Sequence, residues 1–68
     1  MKDLIKEQGR IIDVRPDTTY LVKCEDKEIL CYLSGKMRLN KISVLLDDQV
    51  IIEFSPKDIK RGRIVRRI

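Results

Sequence analysis

The sequence predicts an all-β protein: a small five-stranded antiparallel barrel with one short helix between the third and fourth strands. Two observations carry this prediction. Five short segments either are rich in β-branched residues or alternate apolar with polar side chains, and turn or charged residues separate them. A single segment lacks β-branched residues and suits a helical turn. A chain of 68 residues has room for one such domain, which spans residues 1–68.

The first predicted strand covers residues 9–15, and Pro16 and Asp17 close it as turn residues. The second covers residues 18–24 and the third covers residues 29–33, and both are rich in side chains that suit a pleated surface. A charged connection separates these two strands. They are therefore predicted to form a hairpin.

The register of this hairpin follows from the burial of its apolar side chains. A two-residue loop at Asp26 and Lys27 would set Cys24 opposite Ile29 and gather the apolar set on one face. In this register Cys24 and Cys31 are diagonal neighbours roughly 7–8 Å apart, too far for an unstrained disulfide. We therefore expect two buried free thiols, as in a reducing compartment.

The second half of the chain supplies the helix and two more strands. Residues 35–41 hold helix-tolerant side chains and predict a helical turn or short helix, with Ser34 as its N-cap. In residues 50–55 the apolar Val50, Ile52 and Phe54 alternate with Ile51, Glu53 and Ser55, and this period of two predicts a fourth strand with one face toward the core. After a polar loop through Gly62, residues 63–68 predict a last strand that carries three arginines.

Five strands with one short helix between the third and fourth follow the order of the OB-fold, a partly open barrel that binds oligonucleotides or oligosaccharides. Closure protects the strand edges of so short a chain without covering helices. A small SH3-like barrel is the competing architecture.

Basic charge is concentrated in the second half of the chain. Residues 1–34 carry six Lys or Arg against seven Asp or Glu, whereas residues 35–68 carry nine against four, within a net charge of +4. This uneven balance favours a polyanionic partner such as nucleic acid. The basic side chains fall in two clusters, one in the predicted helix and one in the last twelve residues.

The sequence lacks the residues that several classes of function need. Because histidine is absent, imidazole-based catalysis is excluded, and a zinc site would have to combine thiolates with carboxylates. Gly35 and Lys36 lack the earlier glycine and the following Ser or Thr of a phosphate-binding loop. Asp47 and Asp48 fall in an apparent turn, where acidic residues are common. We therefore expect no enzyme activity, metal or other cofactor.

No segment approaches the length of an apolar membrane helix, and the first residues do not resemble a secretory signal. We therefore expect a cytoplasmic protein that does not bind membranes and is a monomer when free.

Three segments of the sequence point together to one family. They are Gly9 with Ile11; Ser34-Gly35-Lys36-Met37-Arg38 with Asn40 and Ile42; and Ser55-Pro56 with Asp58 and Gly62-Arg63-Ile64-Val65. Together they resemble bacterial translation initiation factor one, a single OB domain of nearly this length. The similarity covers essentially the whole chain.

This resemblance implies binding to the small ribosomal subunit at the aminoacyl site during initiation. It also implies contact with ribosomal RNA and a ribosomal protein, alongside the other two initiation factors. Several RNA-contacting positions of the family match in type here, and Tyr20 takes the place of a family aromatic. The matching residues are Lys36, Arg38, Asn40, Gly62 and Arg63.

Other family positions differ in this sequence. Tyr32 stands where a histidine is usual, Lys41 replaces an aromatic and Ser43 replaces an arginine, while Arg66 stands where the family often has an aromatic. Tyr32 can stack a base, and the basic clusters can contact phosphates. The predicted RNA-binding residues are Tyr20, Tyr32, Lys36, Arg38, Asn40, Lys41, Lys60, Arg61, Gly62, Arg63 and Arg66.

Two other binding functions stay open. A general single-stranded RNA- or DNA-binding OB protein of the cold-shock type would stack several bases in series, and only 4% of the residues are aromatic. A protein-interaction module would use apolar strand faces, and its binding would depend only weakly on salt.

Overall fold

The computed structural model describes residues 4–68. Its elements are β1 (Ile5–Val14), β2 (Thr19–Cys24), β3 (Lys27–Leu33), α1 (Gly35–Leu39), β4 (Gln49–Ser55) and β5 (Asp58–Arg67). The strands close into a barrel in the order β1-β2-β3-β5-β4, and β1 pairs with β4. The predicted five-stranded barrel with one short helix between β3 and β4 is confirmed.

One strand pair departs from the prediction of an antiparallel barrel. β3 and β5 run parallel, whereas the other four pairs are antiparallel. The reason is topological: directions cannot alternate all the way around a closed ring of five strands, so at least one pair must be parallel. In this chain the parallel pair is β3 with β5, and α1 follows β3 in the sequence.

The core is formed by inward-facing strand positions and by one side chain from α1. Val50, Ile52 and Phe54 are buried, so the predicted inward face of β4 is confirmed. Met37 of α1 is 1% exposed and covers one end of the barrel core. The whole buried cluster is Ile11, Val22, Cys24, Ile29, Cys31, Met37, Val44, Val50, Ile52, Phe54 and Ile64.

The β2–β3 hairpin turns at Glu25 and Asp26, so the predicted loop at Asp26 and Lys27 is wrong. Cys24 pairs with Lys27, which is a shift of two residues from the predicted register. A shift of two leaves every side chain on its face, and burial alone therefore cannot distinguish the two registers. The backbone decides: Glu25 has a φ of 58°, the positive value that the first residue of a type II′ hairpin turn adopts.

Cys24 and Cys31 are both buried and free, as predicted. They are not the diagonal neighbours that the predicted register implied, because Cys31 pairs with Tyr20 rather than with Val22. Cys24 also packs against β1, where a Cβ atom at Gly9 would lie 2.6 Å from its Sγ. The absence of a side chain at Gly9 therefore lets β1 approach β2.

β5 begins at Asp58, five residues before the predicted start, and the predicted polar loop through Gly62 is wrong. The turn is limited to Pro56 and Lys57, and Ser55 pairs with Asp58. Residues 56–61 are exposed. Because neither face of this part of the hairpin is covered, its sequence lacks the apolar alternation that marks a half-buried strand.

Candidate nucleic-acid interface

α1 is fixed at its start to the barrel. Ser34 Oγ accepts a hydrogen bond from the Met37 N–H at 3.2 Å, which confirms the predicted N-cap. The Ser34 N–H donates to the Ile64 carbonyl of β5 at 2.9 Å. These bonds, together with the buried Met37 side chain, hold the short helix against the end of β5.

α1 ends in a Schellman motif. The Ile42 N–H donates to the Met37 carbonyl at 3.0 Å, and the Lys41 N–H donates to the Arg38 carbonyl at 3.1 Å. The residue after the C-cap of such a motif is usually glycine, but here it is Lys41, with a φ of 56°. The motif leaves three cationic side chains exposed in the helix and just after it: Lys36, Arg38 and Lys41.

The loop of residues 40–48 is also held in place. Arg67 Nη1 donates to the Ser43 carbonyl at 3.1 Å and so joins the loop to the end of β5. The carboxylate of Asp48 accepts a hydrogen bond from the Leu45 N–H at 2.8 Å. Asp48 thus has the turn role that the sequence predicted for the acidic pair.

A basic groove lies between α1 and the end of β5. Three cationic side chains, Lys36, Arg66 and Arg67, line it together with Asn40, and no acidic side chain of residues 4–68 is among its lining residues. The structure therefore brings together three predicted residues, Lys36, Asn40 and Arg66, and adds Arg67, which the prediction omitted. The β4–β5 register sets Arg67 opposite the buried Val50, at this end of the barrel. The sequence alone does not show this register.

A second groove, the balanced groove, lies beside Tyr32 on the outside of β3, β4 and β5. Its lining residues include two cations, Arg61 and Arg63, and two carboxylates, Glu53 and Asp58. Tyr32 is 48% exposed, so its ring is open to a ligand. The balanced groove carries no net charge from these four side chains, in contrast to the basic groove.

Arg63 forms an ion pair within the protein. Its Nη2 donates to Glu53 Oε1 at 2.8 Å, and Glu53 Oε2 lies 3.6 Å from Lys6 Nζ. The hydrogen bond from Arg63 lowers the pKa of Glu53, and the same bond raises the pKa of Arg63. The predicted RNA contact at Arg63 therefore carries a charge that a neighbouring carboxylate already compensates.

The other eight predicted residues lie outside the basic groove. Besides Tyr32, Arg61 and Arg63 of the balanced groove, they are Arg38, Lys41, Tyr20, Gly62 and Lys60. Tyr20 is half-buried and packs against the core. Gly62 is buried, and a Cβ atom at this position would lie 3.0 Å from the Glu53 carbonyl oxygen and 3.2 Å from Cys31 Sγ. Close packing of β5 against its neighbours therefore explains this glycine. Lys60 is exposed near the start of β5.

Within residues 4–68, no group of three or more His, Cys, Asp or Glu side chains is placed to hold a metal ion. The same part of the chain contains no helix that is long and apolar enough to cross a membrane.

The chain is similar to known proteins over nearly its whole length. A family model described as translation initiation factor 1A / IF-1 matches residues 2–68. Translation initiation factor IF-1 of Rickettsia akari (strain Hartford) is 42% identical over 66 residues, which cover 96% of this chain and 93% of that protein.

The same family appears among solved structures. The solution structure of translation initiation factor IF-1 from the Wolbachia endosymbiont strain TRS of Brugia malayi matches with a TM-score of 0.80 and 35% identity, over 96% of this chain and 78% of that chain. YjeQ from Thermotoga maritima matches with a TM-score of 0.75 and 24% identity, over 94% of this chain and 23% of that chain, and this likeness shows the fold alone. The sequence matches and the likeness to the Wolbachia structure show that the chain belongs to the translation initiation factor 1A / IF-1 family.

Proposed function

We propose that this chain binds the small ribosomal subunit at the aminoacyl site, contacts ribosomal RNA and a ribosomal protein, and acts with the other two initiation factors. Residues 1–68 act as one OB-fold RNA-binding domain, without catalysis, in the cytoplasm and as a monomer when free. Family membership supports this proposal. The observation that carries it is the basic groove, where three cations line a surface with no acidic lining residue among residues 4–68.

Phosphate contacts in this proposal come from the exposed cations that have no internal partner. Lys36, Arg38, Lys41 and Arg66 form no ion pair within residues 4–68. A phosphate that binds them releases condensed counterions, which favours association at low salt. The caps of α1 fix the backbone that carries Lys36 and Arg38 before binding, so less conformational entropy is lost when RNA binds.

The remaining predicted residues have other parts in this proposal. Tyr32 stacks a base, and Asn40 donates or accepts hydrogen bonds in the basic groove. Lys60 and Arg61 contact phosphates from the exposed start of β5, where Arg61 lines the balanced groove. Gly62 and Tyr20 act indirectly, because both help to pack the barrel that carries the contacts.

A protein-interaction role is the second candidate function. Leu39, Leu45 and Leu46 are 82%, 66% and 55% exposed, and large exposed apolar side chains often mark contacts with other proteins. Binding through such side chains would depend little on salt. Serial base stacking has less support, because Phe54 is buried and Tyr20 packs against the core.

Cosedimentation with purified bacterial small ribosomal subunits tests the proposal, with and without the other two initiation factors. We expect the chain to pellet with small subunits and not with large subunits, and to protect bases of the aminoacyl site from chemical modification. A chain that stays in the supernatant under all these conditions, or that protects RNA elsewhere, contradicts the proposal.

A further inference from the structure

Four side chains form a row across the outside of the barrel. Tyr32 of β3 pairs with Arg63 of β5, Arg63 pairs with Glu53 of β4, and Glu53 pairs with Lys6 of β1. Residues that pair across strands share a face of the sheet. The carboxylate of Glu53 therefore lies between two cations, while Arg63 lies between this carboxylate and the ring of Tyr32.

The carboxylate is more protected than either cation. The side chain of Glu53 is 14% exposed, against 43% for Arg63 and 66% for Lys6. A poorly hydrated carboxylate depends on its partners, because an unpaired one would lose much of its hydration without compensation. If Arg63 turned toward an RNA phosphate, Glu53 would keep only Lys6, at the longer distance of 3.6 Å.

We propose that Glu53 limits the affinity of this chain for RNA, because it competes with RNA phosphates for Arg63. The proposal rests on the function proposed above. Arg63 then stays with Glu53 in the complex and orients its guanidinium beside Tyr32, while the exposed cations without an internal partner supply the phosphate contacts. Because Glu53 withholds Arg63 from the RNA, the complex has one phosphate contact fewer and dissociates faster.

The salt dependence of binding separates this arrangement from a simple phosphate contact at Arg63. Each neutralised phosphate contributes about −0.7 to the slope of log affinity against log salt for single-stranded RNA. An arginine that remains paired with Glu53 contributes little to this slope. An arginine freed from Glu53 contributes fully.

The test is a double-mutant cycle with Glu53→Gln, Arg63→Gln and the double variant, read out as affinity for small ribosomal subunits from about 50 to 200 mM salt. Each substitution replaces a charged group with a neutral amide that can still form hydrogen bonds. Glu28→Gln at an exposed position of β3 is the matched control, because Glu28 is in no ion pair within residues 4–68. Urea unfolding confirms that each variant is folded.

We expect Glu53→Gln to bind more tightly, to dissociate more slowly and to steepen the slope by about 0.7, whereas Glu28→Gln does none of these. Arg63→Gln should leave the slope of the native chain nearly unchanged but flatten that of the Glu53→Gln variant by about 0.7. A flattening of that size in the native background overturns the proposal, and so does a slope that Glu53→Gln leaves unchanged.

Three further outcomes have a defined meaning. If Glu53→Gln does not fold, Arg63→Gln in the native background still tests the proposal through its slope. If the native chain does not bind small subunits at all, the proposed function fails as well. If the native chain binds with a steep slope and only the cycle departs from expectation, the proposal for Glu53 fails alone.

Discussion

Arg67 and Ser43 are joined by a hydrogen bond of 3.1 Å, from the guanidinium Nη1 to the backbone carbonyl. The bond connects the loop of residues 40–48 to the last residue of β5. The next residue, Ile68, donates its N–H to the Gln49 carbonyl, which also holds this end of β5 in place. Because Arg67 lines the basic groove, the same side chain shapes that groove and anchors the loop beside it.

Replacing Arg67 with Ala should therefore loosen this loop. A net hydrogen-bond contribution of about 1 kcal/mol corresponds to about fivefold faster hydrogen exchange at the loop amides of Leu45 and Asp48. Arg67→Lys, which keeps the charge and a donor, should be affected less. Unchanged exchange at these amides in the Ala variant would show that the bond does not hold the loop.

Lys41 adopts a left-handed backbone conformation that costs a non-glycine residue about 1–2 kcal/mol. Lys41→Gly should raise the free energy of unfolding by about 0.5–1 kcal/mol, after the greater freedom of glycine in the unfolded chain is subtracted. Lys41→Ala removes the same charge without relieving the strain. Urea unfolding should thus separate the two variants, while their subunit affinities should fall equally. Equal stabilities would contradict this account of the Schellman motif.

Lys27 has a structural role that its position in the charge-balanced half of the sequence does not reveal. Its Nζ lies 3.4 Å from Glu7 Oε1 and 5.9 Å from the centroid of the Phe54 ring. Lys27→Ala should lower the free energy of unfolding by about 1 kcal/mol without changing the salt slope of binding. Lys23→Ala, at an exposed position of β2 with no ion pair within residues 4–68, should change neither. Equal thermal stabilities of the two variants would argue against this role.

The two buried thiols should make stability fall at high pH. Burial, and to a lesser extent the neighbouring Cys24, raises the pKa of the Cys31 thiol to about 12 from its ordinary value of 9.0. The unfolded chain therefore releases this proton at a lower pH than the folded chain does. The resulting contribution to the free energy of unfolding is complete below pH 9 and is lost as the pH rises toward 12.

A variant with both cysteines replaced by Ala should lose this part of the pH dependence. It should also lose about 1 kcal/mol per site at neutral pH, because a buried group of about methyl size is removed. Urea unfolding from pH 8 to pH 11 measures both effects. Subunit binding at neutral pH should be unchanged, and a well-folded variant that no longer binds would show a role of the thiols that the account lacks.

Residue types that suit a pleated surface predicted β2 and β3, and apolar alternation predicted β4, which has one face on the core. It failed where no face is covered, at residues 56–61, and it could not separate two registers of the β2–β3 hairpin that differ by two residues. Ser34 was predictable as an N-cap because capping depends on a local side chain, which the sequence shows directly.

The ion pair of Arg63 with Glu53 was not predictable from the sequence. A two-residue turn at Pro56 and Lys57 with regular pairing would set Glu53 opposite Lys60. The irregularity between Phe54 and Ser55 moves Glu53 to Arg63 instead. The composition of the basic groove likewise depends on the packing of α1 against β5, which brings Lys36 to Arg66 and Arg67 from distant parts of the chain.

The central claim is that exposed cations of the second half of the chain bind phosphates of the small ribosomal subunit, and the salt dependence of affinity tests it most directly. Six cations that form no ion pair within residues 4–68, namely Lys36, Arg38, Lys41, Lys60, Arg61 and Arg66, predict a log–log slope of about −4. Lys36→Ala and Arg66→Ala should each flatten it by about 0.7, and Lys23→Ala should leave it unchanged. A slope near zero, or a Lys23→Ala variant that flattens it as much as Arg66→Ala does, would contradict the claim.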